Sequence, residues 1–158
     1  AEVWSGEMGA ASWRGFVEFA GTRCGEFGTD RPSSELWGCA YENSLFTGGY
    51  RYRGRVIGHA LDRDSRSYTI GGVYVPTQGP SIELRARRAE LNRAAVASPS
   101  PSHTVSAVAT DLWNTELRLQ GRWREFDVHL GVGLDRTSPA RGDSGAAGRA
   151  FVSISAPW

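Results

Sequence analysis

The chain has 158 residues, which is the size of one domain or of part of one. Its 18 basic residues are all arginines and nearly balance 17 acidic residues, so the net charge of +1 argues against a nucleic-acid partner, which would need a concentrated basic excess. No apolar run approaches the ~18 residues that a membrane-spanning helix requires, which excludes a helical membrane protein but not a transmembrane β-barrel, whose strands are only half apolar.

Seven segments of alternating apolar and polar residues predict β-strands, and no segment convincingly predicts a helix. In chain order the predicted strands are residues 1–6, 13–21, 67–75, 81–88, 113–123, 126–136 and 147–158. The alternation is clearest in 126–136, where every second residue from Phe126 to Leu134 is apolar. Strands of about ten residues have the length that crosses a bilayer when tilted.

The other face of these predicted strands is charged. It carries Arg85, Arg87, Glu116, Arg118, Asp127 and Asp135. A small soluble barrel with a dry, packed interior would not tolerate that many charges, whereas a membrane barrel can direct them into a wet or salt-bridged lumen. Aromatic residues near the strand ends are then predicted to form interfacial girdles. These residues are Tyr68, Tyr74, Trp113, Trp123 and Trp158.

The predicted connections differ in length between the two ends of the strands. Residues 8–12, 75–80 and 121–125 are short turns, whereas 24–63, 93–105 and 137–147 are long and polar. This arrangement is typical of bacterial outer-membrane barrels, in which the long loops are extracellular. The predicted fold class is therefore all-β, an antiparallel up-and-down transmembrane β-barrel. Residues 1–158 belong to one barrel domain, with a long extracellular loop at about 24–63. Because such barrels close with an even number of strands, about seven strands predict the C-terminal part of a larger barrel.

Two cysteines, Cys24 and Cys39, flank a stretch rich in Gly, Pro, Ser and acidic residues that predicts a loop. Two cysteines that close one short loop are more typical of a disulfide than of free thiols, and a disulfide indicates an oxidising compartment. The loop-entropy model assigns such a bridge about 3 kcal/mol of stabilisation. No second cysteine pair or Cys/His cluster supplies a zinc site, so neither a metal nor a cofactor is predicted.

The segment GYRYRGRVIGHALDRDSRS, residues 49–67, carries the main functional signal. Together with the cysteine-flanked loop and the aromatic C-terminal strand, it resembles the Wzi family, outer-membrane proteins of capsule assembly. The resemblance implies a large closed barrel with a small helical element in the bacterial outer membrane. It also implies a lectin that attaches capsular polysaccharide to the cell surface, without enzymatic activity.

The chemistry of the same segment suits polysaccharide binding. Strand alternation would send the two tyrosines to one side and the arginines to the other, where guanidinium groups can hold sugar carboxylates bidentately. Tyrosine rings offer an apolar surface to a sugar and a hydroxyl for hydrogen bonding. The predicted carbohydrate-binding residues are Tyr50, Arg51, Tyr52, Arg53, Arg55, His59, Asp62, Asp64 and Arg66. Two alternatives are an ordinary aromatic girdle with lumen-facing ion pairs, and arginines that bind phosphates of lipopolysaccharide.

Two short patterns raise an enzymatic alternative. Residues 142–145, Gly-Asp-Ser-Gly, resemble the nucleophile segment of trypsin-like proteases, but no histidine has the accompanying motif, and a Gly/Asp/Ser loop explains the pattern. His59, Asp62 and Ser65 are close enough in sequence for a hydrolase in which a histidine activates a serine. Along a strand, residues 59 and 62 would point to opposite faces, so no catalytic residue is predicted.

The predicted function is non-enzymatic attachment of capsular polysaccharide at the bacterial outer membrane. The alternative is a porin-like channel for small solutes, which an open constriction would favour, whereas a lumen bridged by ion pairs would favour the anchor. A soluble extracytoplasmic β-domain ranks third, because its apolar strand faces would be left uncovered. Besides the polysaccharide, the predicted partners are outer-membrane lipid, lipopolysaccharide and the barrel assembly machinery, which would recognise the C-terminal strand ending at Trp158.

Overall fold

An antiparallel β-sheet dominates the computed structural model, which describes residues 2–8, 11–22, 51–52, 55–56, 60–96 and 103–156. The described strands are β1 (Glu2–Met8), β2 (Ala11–Gly21), β3 (Arg51–Tyr52), β4 (Arg55–Val56), β5 (Arg66–Val75), β6 (Ser81–Leu91), β7 (Thr110–Trp123), β8 (Phe126–Pro139) and β9 (Gly145–Ser155). Seven of them form one sheet in the order β1-β2-β5-β6-β7-β8-β9, and β3 pairs with β4 alone. All neighbours are antiparallel, which confirms the predicted all-β, up-and-down arrangement of about seven strands. Within the described residues the sheet is open, with β1 and β9 at its edges.

The two ends of the sheet differ as predicted, with one correction. At the turn end, residues 9–10, 76–80 and 124–125 connect the strands, whereas residues 22–65 and 92–109 make long connections at the opposite loop end. The long loop predicted at residues 137–147 is wrong. Strand pairing continues from Thr137 to Gly145, so only residues 140–144 connect β8 to β9. The small residues that begin β9 have low strand propensity, and pairing with β8 overrides it.

The prediction of no helix needs a small correction as well. A 3₁₀ helix at Arg93–Val96 follows β6 in the connection to β7. Four residues make little more than one turn, which is too short to produce a helical periodicity in the sequence. No helix among the described residues is long and apolar enough to span a membrane.

One face of the sheet, which we call the apolar face, is hydrophobic from strand to strand. Residues paired across neighbouring strands share a face, so the register brings these side chains together. The apolar face includes Val17, Ile70, Leu84, Leu117, Val132 and Val152. Nothing in the described residues covers it, and Leu84 is 58% and Val152 68% exposed. A surface of this kind suits lipid contact.

Aromatic residues lie at both ends of the apolar face, as predicted. Trp113 and Trp123 are ten positions apart on β7, which is about 33 Å along the strand and about 25 Å along a bilayer normal at typical barrel tilt. That spacing matches the apolar band of a transmembrane barrel. Tyr68 lies near the loop end and Tyr74 near the turn end, and Trp158 is outside the described residues.

The opposite, polar face uses glycine to accommodate large rings. A Cβ atom at Gly71 would lie 2.3 Å from the Phe16 ring, and one at Gly131 would lie 2.2 Å from the Phe151 ring. Each ring therefore lies flat across the backbone of the neighbouring strand, where only glycine leaves room. Gly71 and Gly131 thus have a packing role in their strands.

Candidate functional site

Two long connections meet in a group of polar residues at the loop end, most of them buried, which we call the loop-end cluster. It consists of Thr22, Asp62, Arg63, Asp64, Ser65, Asn92, His103, Thr104 and Ser106. Thr22 follows β2 and Ser65 precedes β5, and their backbones are joined by a 2.8 Å bond from Thr22 N to Ser65 O. The Thr22 hydroxyl donates to Asp62 O at 2.7 Å. The first and last residues of the β2–β5 connection are therefore fixed side by side.

Asp62 and Asp64 hold this arrangement through unusual backbone conformations. Asp62, Asp64 and Asn92 have φ angles of 64°, 52° and 49°, in the left-handed region that Asp and Asn tolerate best after glycine. Both aspartates are buried, at 1% and 0% exposure. The backbone of Asp64 also accepts a 2.8 Å bond from Arg93 N, which links the cluster to the 3₁₀ helix.

The Asp62 carboxylate joins the β2–β5 connection to the β6–β7 connection. Its Oδ2 accepts bonds from Thr104 N at 2.6 Å and from Thr104 Oγ1 at 2.7 Å, and its Oδ1 accepts from Arg63 N at 2.7 Å. Burial by itself would raise the pKa of this carboxyl, but the hydrogen bonds and the nearby His103 outweigh it and hold the pKa below its ordinary value. Asp62 is therefore ionised in the folded protein at neutral pH.

Ser65 contacts a histidine, but not the one considered from sequence. His103 Nε2 lies 3.3 Å from Ser65 Oγ, whereas His59 is outside the described residues. His103 Nδ1 accepts from Val105 N and Ser106 N at 3.2 and 3.1 Å. The proton is therefore on Nε2, which donates to Arg63 O at 3.0 Å.

This geometry is unsuited to nucleophilic catalysis at Ser65. A histidine base needs an unprotonated nitrogen facing the serine, but here the facing nitrogen carries the proton. Burial lowers the pKa of His103, which keeps the imidazole neutral. The Ser65 side chain is itself fully buried. The contact between Ser65 and His103 therefore fastens the two loops together.

Other predicted site residues lie in different places. Arg51 pairs with Val56 and Tyr52 with Arg55, so this stretch is a hairpin and not the single alternating segment assumed from sequence. Arg66 donates to Glu90 through two bonds of 2.7 and 3.0 Å. Outside the described residues lie Cys24, Cys39, Tyr50, Arg53 and His59. The predicted disulfide and most of the predicted binding segment therefore stay predictions.

Charged residues on the polar face form a connected network around Glu116. The Glu116 side chain is only 5% exposed and accepts hydrogen bonds from Arg118 and Arg149, the latter at 2.5 Å. Arg85 lies 3.5 Å from the same carboxylate. Arg149 also contacts Asp135 at 3.0 Å. The four strands β6 to β9 are thus bridged by ion pairs on the face that the sequence predicted to be charged.

Asp127, which the sequence also predicted on the charged face, lies outside this network. Asp127 pairs with Arg122 at 3.3 Å near the turn end, apart from Glu116.

Among the described residues, no group of three or more His, Cys, Asp or Glu side chains is placed to hold a metal ion. Ser144 of the Gly-Asp-Ser-Gly pattern is exposed in the β8–β9 connection.

Comparison with known families gives a match over most of the chain. The family described as capsule assembly protein Wzi matches residues 7–145, which covers β2, β5, β6, β7 and β8 of the large sheet in full, and the loop-end cluster. No curated protein and no solved structure matches the chain.

Proposed function

The chain belongs to the Wzi family of capsule assembly proteins, an outer-membrane β-barrel family, and on this basis we propose that it holds capsular polysaccharide at the bacterial surface. In this proposal residues 1–158 are part of one barrel domain, the apolar face contacts lipid, and the β2–β5 connection is an extracellular loop. The protein acts by binding and without catalysis.

The observation that best supports binding is the way the β2–β5 connection is anchored. Thr22 and Ser65 are 43 positions apart, yet the Thr22 hydroxyl accepts a 3.0 Å bond from Ser65 N. The arginine and tyrosine segment lies between these two residues, so it extends from a fixed base. A fixed base lowers the entropy lost when a loop binds its ligand.

The chemistry of the segment suits an anionic polymer. Arg51, Tyr52, Arg53 and Arg55 offer guanidinium groups to sugar carboxylates and a ring to sugar faces. Each contact is weak, but a repeating polymer engages many at once, on one protein and on its neighbours. Asp62 and Asp64 are buried, so they would contribute by positioning the loop and not by touching the polymer.

The network around Glu116 favours an anchor over the porin-like alternative. Three arginines converge on one carboxylate, and Arg149 continues the bridge to Asp135. Side chains that pair with one another across the polar face reduce the free charge and space that solute passage requires.

The test uses the full-length protein in an encapsulated strain. Replacing Arg51, Arg53 and Arg55 together with Gln should move polysaccharide from the cells into the medium while total synthesis stays constant. The control replaces Arg122 and Arg124 with Gln at the turn end, which removes two charges instead of three, and should leave attachment unchanged. If the triple variant retains its capsule, the binding role is wrong. If attachment persists but deletion of the protein lowers uptake of small solutes, the chain is a channel.

A further inference from the structure

We propose that the apolar face carries a binding site for lipid A, the phosphorylated, acylated glycolipid of the outer leaflet. Arg88, Trp113 and Arg136 form the part of this site that contacts the lipid head group. The proposal rests on the outer-membrane placement above. It concerns a different surface from the polysaccharide segment, and nothing in the polysaccharide proposal requires it.

Three side chains form a row at the loop end of the apolar face. Arg88, Trp113 and Arg136 are paired across β6, β7 and β8, so their side chains point the same way. The Arg88 guanidinium lies 5.2 Å from the centre of the Trp113 ring. The backbones of Arg88 and Arg136 are two strand spacings apart, about 10 Å, which lets one head group contact both side chains.

Arg136 is the more informative of the two arginines. It is exposed, and within the described part of the chain it makes no hydrogen bond or ion pair. Arg88, by contrast, lies 3.3 Å from Glu90. An arginine on a lipid-facing surface at the level of an interfacial tryptophan can extend its guanidinium into the layer of lipid head groups. A lipid phosphate provides such an anion.

The charge around the row has the sign that a phosphate needs. Arg66, Arg88, Arg93 and Arg136 are opposed by Glu90 and Asp111, so four cations face two carboxylates and two positive charges are in excess. Lipid anions concentrate against such a patch, and each added arginine near a charged bilayer surface strengthens the attraction.

A groove for acyl chains begins directly below the arginines. It has a volume of about 350 Å³, and its lining includes Trp113, Thr115, Leu134, Asp135, Arg136, Ala146 and Gly148. A second groove of about 590 Å³ shares Thr115, Leu134 and Gly148 with it and is continued by Leu84, Leu117 and Val132. The depression lies beside β8, because β9 presents the small residues Ala146 and Gly148 next to Arg136 and Leu134.

The occupant follows from the position of the site. The row lies at the loop end, which is the extracellular side of a barrel. The lipid of that leaflet carries phosphate on a sugar head group and several acyl chains, which matches arginines above an apolar groove. Phospholipids of the inner leaflet would meet the turn end instead.

The experiment measures lipid bound to the purified full-length protein in detergent, without capsule. Bisphosphorylated lipid A, dephosphorylated lipid A and phosphatidylglycerol are added separately, and the bound lipid is counted by native mass spectrometry. The parent protein should bind bisphosphorylated lipid A best. The variant R88Q/R136Q should bind it at least about fivefold less. The control R122Q/R124Q keeps the same change of charge at the turn end, where Arg124 lies 5.3 Å from the Trp123 ring, and should match the parent.

The site is refuted if R88Q/R136Q binds as the parent does, or if the three lipids bind equally. Heat-modifiable migration in gels checks that each variant is folded. If the double variant does not fold, Ala146→Leu is the second test, because it fills the groove without removing a charge and should lower lipid A binding similarly. Capsule attachment is measured separately, so either proposal can fail alone.

Discussion

Asp62 and Thr104, which are 42 positions apart, are joined by two short hydrogen bonds to one carboxylate oxygen, 2.6 Å from Thr104 N and 2.7 Å from Thr104 Oγ1. The bonds connect two different long loops above the sheet. Because Asp62 is buried and charged, a substitution that removes its charge leaves the donors that it now satisfies without a matched acceptor.

Asp62→Asn should therefore loosen the loop end. The amide keeps the shape but has one acceptor oxygen, so it cannot satisfy Thr104 and the Arg63 amide together. We expect a loss of about 1–3 kcal/mol in local stability, measured as faster hydrogen exchange at the Thr104 amide. The control Asp127→Asn removes a carboxylate that is 44% exposed and should change little. Equal exchange in Asp62→Asn and the parent would show that the bonds do not hold the loops.

The loop end should weaken in two separate pH ranges. Burial lowers the pKa of His103 below its ordinary 6.5, so the unfolded state takes up a proton first as the pH falls. The stability due to His103 is complete above pH 6.5 and declines from there toward its lowered pKa. Asp62 has a lowered pKa in the folded state, so its contribution is complete above its ordinary 3.8 and is lost at lower pH.

Hydrogen exchange at the Val105 and Ser106 amides, corrected for intrinsic rates, would measure the loss of stability due to His103 between pH 7.5 and 5. His103→Asn offers an acceptor oxygen in place of Nδ1 and does not titrate. In His103→Asn, the corrected exchange rates at Val105 and Ser106 should be independent of pH in that range. A pH dependence that persists in His103→Asn would assign the effect to another group.

The sheet was predictable because period-two alternation marks each half-buried strand locally, as in the run from Phe126 to Leu134. The same alternation would have placed Arg149 on the polar face, beside Phe151. The loop-end cluster was not predictable, because Thr22, Asn92 and His103 come from three distant segments and no local pattern links them. The hairpin at Arg51 to Val56 was missed because alternation alone does not show where a chain turns back.

Glu116 should be the most sensitive charge on the polar face. Glu116→Gln would leave Arg85, Arg118 and Arg149 without their shared carboxylate, and we expect the protein to lose about 1.5–3 kcal/mol of stability. The measurement is the denaturant midpoint for loss of heat-modifiable migration of the full-length protein. Glu83→Gln is the matched control, since Glu83 is 30% exposed and its contact with Arg118 is 3.9 Å long. It should cost less than about 1 kcal/mol. Equal effects of the two variants would mean that Glu116 has no special role.

Two adjacent glycines on β5 provide a test of the packing on the polar face. A Cβ at Gly71 would lie 2.3 Å from the Phe16 ring and 3.1 Å from Leu84 O, whereas a Cβ at Gly72 comes no closer than 3.6 Å to Arg14 O. Gly71→Ala must displace the ring or the neighbouring backbone, and overpacking of this kind costs about 1–3 kcal/mol. Gly72→Ala should be close to neutral. The measurement is the denaturant midpoint of each variant. The two substitutions are the same change in the same strand, and they differ only in the face of the sheet on which the new methyl group lies. If the two variants are equally stable, the ring of Phe16 does not lie across Gly71, and the glycine reflects flexibility of β5 instead of packing.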